Sequence, residues 1–142
     1  MSEQTTETSI VAWTEQAINR REALALATLD INVKADLRAG GQAPAWSFRD
    51  DGSIWDANNV LRVRFTWQGE AQHIVANDPQ DVLRSCARNR KLLDLHGGRG
   101  HSCPAYDYDG DLDENARFYN HEICPVVQNL AEAYGWTGES TT

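Results

Sequence analysis

The stretch "AWSFRDDGSIWDANNVLRVRFTW", residues 45–67, decides the fold, because its apolar residues recur with the period of a strand. Two short runs with aromatic and β-branched residues, Ala45–Phe48 and Ser53–Asp56, flank Asp51-Gly52, a dipeptide suited to the positive φ angles of a tight hairpin turn. After Asn58-Asn59 the run Val60–Trp67 alternates. Leu61, Val63, Phe65 and Trp67 fall on one side, and Arg62, Arg64 and Thr66 on the other. The pattern predicts a three-stranded antiparallel sheet with the Leu61/Val63/Phe65/Trp67 face on a core.

On either side the period changes to that of helices. Upstream, Ile10, Trp13, Ala17, Ile18, Ala25 and Leu29 recur near helical spacing behind Ser9, a candidate N-cap, and predict one long helix that ends before "RAGGQAPAW". Downstream, a short helix over 71–76 stops at Asn77. Asp78 then caps a new helix with Pro79 at its first position, where a missing N–H costs nothing. Its apolar stripe is Val82, Leu83, Cys86, Leu92 and Leu93, and Gly97-Gly98 stops it. A last helix starts at Pro125 with Val127, Leu130 and Tyr134 on one side. The fold class is therefore α+β, as a single domain over 9–136 between disordered tails at 1–8 and 137–142.

Composition narrows the function. With 142 residues, 41% of them hydrophobic and five Trp, the chain can build a core. The net charge of −8 disfavours generic binding to a phosphate backbone. No apolar run approaches the ~20 residues that span a bilayer, and the first thirty residues lack a signal-peptide pattern, so a cytoplasmic protein without membrane attachment is expected. Three cysteines make no disulfide framework, which leaves thiols for metal.

The segment 96–124, "HGGRGHSCPAYDYDGDLDENARFYNHEIC", gathers three of the four histidines and two of the three cysteines. His96 ends a helix, Cys103 is read in a Gly-rich loop, and His121 and Cys124 straddle the start of the last helix. Zinc favours four N and S ligands in this manner, and a helix N-terminus favours the Cys124 thiolate. The expected ligands are His96, Cys103, His121 and Cys124, with His101 in reserve for His96. Four protein ligands close the site, which makes the zinc structural and not catalytic.

The block "AQHIVANDPQDVLRSCARNRKLLDLH", followed by a cysteine-bearing insert and then "CPVVQNLAEAYGW", resembles an uncharacterised family of small proteins from actinobacteria and their phages. The segments "APAW" and "DDGSIWD" fit the same pattern, and the match covers residues 10–136. The resemblance implies a fold and a genomic context and lends no activity. Similar proteins carry a C-x-x-C pair in the insert. Here Cys103 is followed by Pro104, Ala105 and Tyr106, so His121 is the replacement the resemblance implies, with His96, Cys103 and Cys124 at the matching positions.

Other motifs carry weaker chemistry. Asp107–Glu114 has the wrong register for an EF-hand, because Gly110 comes fourth and not sixth. As a solvated acidic loop its five carboxylates allow a second use, imitation of DNA phosphates. His73 with Asp78 or Asp81 lacks a nucleophile at motif spacing. Arg84, Arg88, Arg90 and Lys91 form a candidate interaction surface for an acidic protein or nucleic acid, which Arg62 and Arg64 would extend. The leading expectation is a non-enzymatic binding or regulatory module, phage-encoded, with a structural zinc, acting on a host or phage protein. The alternatives are a metal-dependent hydrolytic enzyme with an open zinc position and a nucleic-acid-binding or DNA-mimicking protein.

Overall fold

The computed structural model describes residues 9–138. They form an α+β fold of five helices and two antiparallel sheets. In chain order these are α1 (Ser9–Leu26), α2 (Ile31–Arg38), β1 (Trp46–Phe48), β2 (Ile54–Asp56), β3 (Leu61–Val63), α3 (Gln68–Ala76), α4 (Pro79–His96), β4 (His101–Tyr106), β5 (Leu112–Phe118) and α5 (Pro125–Ala133). The residues cluster into two units, one built from 20–86 and the other from 9–19 with 87–138. The tails expected at the two ends lie outside the described residues except Thr137 and Gly138, which follow α5 without helix or strand. The cap expected of the Ser9 side chain also lies outside them.

In the unit of residues 20–86, the long first helix expected from the periodicity is two helices. Thr28 donates its hydroxyl to the Ala25 carbonyl at 2.7 Å, and the Asp30 carboxylate accepts from the Val33 N–H at 2.9 Å. These local bonds give the backbone an alternative to the helical ladder, so α1 closes at Leu26 and Asp30 caps α2. The break lets Leu29, Val33 and Ala43 pack together, with Leu26, Leu37 and Leu83 around them.

The sheet runs β1-β2-β3, all antiparallel, as expected. Gly52 takes φ 85° in the first turn, where the Arg49 N–H donates to the Ser53 carbonyl at 2.9 Å. The third strand differs from the alternation reading. Only Leu61–Val63 pairs, and the face expected on a core is exposed at Phe65 and Trp67. Two polar demands decide this. The Asp56 side chain, fully buried, draws Arg62 inward to an ion pair at 2.6 Å, and the Gly52 carbonyl accepts both the N–H and the hydroxyl of Thr66, at 2.7 and 3.0 Å. Burying an unpaired charge costs more than exposing two rings.

Helix α3 begins three residues earlier than expected and stops at Asn77. Asp78 caps α4 as the sequence predicts. Its Oδ1 accepts from the Asp81 N–H at 2.9 Å, while Oδ2 accepts from the Trp46 N–H at 2.9 Å and so ties the cap to β1.

In the other unit, the segment read as a Gly-rich loop and an acidic loop is a hairpin, β4 paired with β5. Its turn spans Asp107–Asp111, with Gly110 at φ 82° and the Asp107 carboxylate accepting from the Asp109 and Asp111 N–H groups. A bulge interrupts the ladder between Cys103 and Ala105, around Pro104, which has no N–H to offer. Helix α5 buries Val127, Leu130 and Ala131, and the Tyr134 hydroxyl at its end accepts from the Asn89 amide at 2.7 Å. On α1 the buried Thr14 hydroxyl donates to the Ile10 carbonyl at 2.6 Å, which satisfies a polar group beside the buried Ile18.

Candidate metal centre

Three elements of the hairpin-bearing unit converge on one point. His96 is the last residue of α4, His101 and Cys103 lie two apart on β4 and so share one face of the strand, and Cys124 is the N-cap of α5. One ligand atom from each of these four residues lies within 4.8 Å of the other three. Both thiols are buried and both imidazoles half-buried.

The shorter distances have the dimensions of a zinc tetrahedron. His96 Nδ1 and His101 Nε2 are 3.2 Å apart, and Cys124 Sγ is 3.7 Å from His96 Nδ1. With Zn–N near 2.0 Å and Zn–S near 2.3 Å, tetrahedral edges are ~3.3 Å for N···N and ~3.5 Å for N···S.

The surroundings orient the donors. His101 Nδ1 lies 2.6 Å from the Arg99 carbonyl, which can only accept, so Nδ1 carries the proton and Nε2 turns its lone pair to the cluster. Phe118, opposite His101 across the hairpin, stacks on its ring at 5.7 Å between centroids. Burial, and then the neighbouring His101, hold the His96 imidazole below its usual pKa, which favours the neutral form a metal takes. Burial, with the hydrogen bond and charge of Cys124, pushes the Cys103 thiol up to about 11. A bound cation reverses that logic by stabilising the thiolate.

The structure thus brings together His96, Cys103 and Cys124 of the expected ligands, with His101 beside them. His121 is elsewhere. It sits exposed at φ 73° in the turn before α5, its N–H donating to the Gly98 carbonyl at 3.1 Å, because the helix starts only at Pro125 and gives His121 no helical face to share with Cys124. The H-x-C spacing of His101 and Cys103 is the signal that places both on one strand face. It means nothing until the segment is read as a strand.

The remaining candidates separate. His73 is exposed on α3, and Asp78, its supposed partner, is committed to the Trp46 and Asp81 N–H groups. Arg84 pairs with Asp81 at 3.2 Å, Arg90 donates to Asn19 at 2.7 Å, and Arg88 and Lys91 are exposed. Arg62, held by Asp56, adds nothing to a basic surface. No described helix is long and apolar enough to cross a membrane.

Neither a curated protein nor a solved structure matches the chain. A family model does, across nearly the whole of the described fold and all four residues of the cluster. By that match to residues 7–135, the chain belongs to the family of unknown function DUF6221.

Proposed function

We propose that His96, His101, Cys103 and Cys124 hold a structural zinc ion, and that the chain is a non-enzymatic binding module acting by contact with another protein. The observation that carries the zinc reading is the N₂S₂ group itself, two buried thiols and two imidazoles whose ligand atoms all lie within 4.8 Å of one another, with two of the spacings at tetrahedral length. Four protein ligands leave no position for substrate or an activated water, which argues against metal-dependent hydrolysis. The ion would join the end of α4, the hairpin and the start of α5, elements with few apolar residues between Gly97 and Glu122. Closed zinc sites in small peptides contribute on the order of 10 kcal/mol to folding, which suits a structural role. A partner in a bacterial host or its phage, met in the cytoplasm, is the setting that the sequence resemblance favours.

Cobalt substitution tests the site. Purified protein loaded with Co²⁺ is expected to show the visible bands and thiolate charge-transfer absorption of a tetrahedral N₂S₂ centre. His101→Ala and Cys124→Ser should lose them, and His121→Ala should keep them. Loss in His121→Ala with retention in His101→Ala would return the ligand set to the one expected from the sequence. Absence of any metal from wild-type protein, measured by mass spectrometry after purification without chelator, would overturn the zinc reading.

A further inference from the structure

A cleft of about 330 Å³ in the unit of residues 20–86 is lined by the rings of Phe48, Phe65 and Trp67 together with Arg49, Asp50 and Asp51. All of these residues belong to that unit and the metal ligands to the other, so the cleft does not depend on zinc. The three rings are 40, 59 and 70% exposed, and two of them, Phe65 and Trp67, are residues that the alternation after Asn59 would have placed in a core. The Asp56–Arg62 pair and the Thr66 bonds account for the exposure of Phe65 and Trp67, and its result is a group of rings on one surface, the kind of patch that marks a binding groove.

The arrangement of the rings narrows the ligand. Phe65 and Trp67 stand edge to face, with centroids 5.3 Å apart and planes at 79°, and so form two walls of a corner. Phe65 is held there, because a Cβ on Gly52 would come within 2.9 Å of its ring and because Thr66 is bonded twice to the Gly52 carbonyl. The backbone that carries the wall is thus anchored to the first turn of the sheet. Of the charged groups lining the cleft, the Arg49 guanidinium stacks over Trp55 at 4.2 Å. Asp50 and Asp51 leave the balance negative, and the Asp51 carboxyl is held below the usual carboxylate range by its bonds from Ser53, so it stays ionised.

We infer that this cleft is a binding site for an alkylated ammonium group, a quaternary amine or a methylated lysine head, seated against Phe48, Phe65 and Trp67 with Asp50 and Asp51 supplying the countercharge. Aromatic faces attract a cation through their quadrupole. They offer no hydrogen-bond acceptors, so a primary ammonium would lose its water bonds against them, whereas an alkylated one has few or none to lose.

The test is ¹⁵N-resolved NMR of the full chain, following the Trp67 indole and the Gly52 and Phe65 amides. Choline chloride should shift them saturably in the millimolar range, and ammonium chloride at equal ionic strength should act at least about tenfold more weakly. Trp67→Ala should abolish the response and Trp67→Phe should keep part of it. Asp50→Asn should weaken it several-fold. A short peptide bearing trimethyl-lysine that binds more tightly than choline and than its unmodified counterpart assigns the head group to a protein. Equal affinity for peptide and choline assigns it to a small molecule. No saturable shift with either probe, or an equal response to ammonium, overturns the inference.

Discussion

If Cys103 and Cys124 bind zinc as thiolates, each ion that enters displaces two protons, and apparent affinity must rise with pH by two powers of ten per unit. The structure sets the window. The Cys103 thiol, pushed up to about 11, still carries its proton well above neutral pH when no ion competes. His96, lowered by burial and then by His101, has none to give at pH 7. At ~1.36 kcal/mol per proton and pH unit, two protons amount to about 2.7 kcal/mol per unit. The direction is fixed as well, since protonated thiol competes with the ion: binding tightens as pH rises between about 7 and 8. Zinc titrations against a chromophoric chelator across this range, under reducing conditions, read the slope directly. Proton release into weak buffer, followed with an indicator dye, counts the same quantity independently. A slope well below one would mean that the Cys103 thiol is not a ligand, and the N₂S₂ assignment would fall.

Two further outcomes concern the unit of residues 20–86. Asp56 accepts from the Asn58 and Val60 N–H groups and twice from Arg62, and although burial alone would raise its carboxyl, these bonds together hold it below the ordinary range. Asp56→Asn should therefore cost about 3 kcal/mol at neutral pH in urea unfolding followed by Trp fluorescence. Because the folded pKa is depressed, that contribution is fully present above the unfolded value near ~3.9 and is lost as pH falls through the lower folded one. A wild-type advantage that persists unchanged at pH 2 would sink this account. Asp78→Ala removes the cap of α4 and the acceptor of the Trp46 N–H, and should cost about 2–4 kcal/mol by the same measurement. A loss below about 0.5 kcal/mol would show that water replaces both bonds.

How much of this was legible in the sequence depended on whether a signal was local. Asp78-Pro79 and Asp51-Gly52 act through their own backbone and nearest neighbours, and both elements stand where the sequence puts them. Asp30 is equally local, yet it was hidden by the apolar periodicity that runs from Ile10 up to Leu29, the residue before it. The alternation of Leu61–Trp67 misled for a different reason. Its burial is decided by Asp56 and the Gly52 carbonyl, polar partners in another strand and its turn that no periodicity reveals. The hairpin at 101–118 escaped because Pro104 and five carboxylates mask its pairing, although Asp109-Gly110 was there to mark the turn. His96, Cys103 and Cys124 could be singled out by residue type alone. His101 was in view only as a reserve for His96, and that it joins the cluster while His121 does not required knowing that one sits on a strand and the other in a left-handed turn.

The bulge between Cys103 and Ala105 has a consequence for how this chain can be altered. It divides the hairpin into a base, where His101 pairs with Phe118 and Cys103 with Ala116, and a tip, where Ala105 and Tyr106 pair with Asp113 and Leu112 in a shifted register. Residues added or removed around Asp109-Gly110 change the tip alone and leave the base pairing untouched. The tip is therefore where length can drift among related chains, and where an epitope or fluorescent reporter can be grafted without disturbing the four residues at the foot of the hairpin.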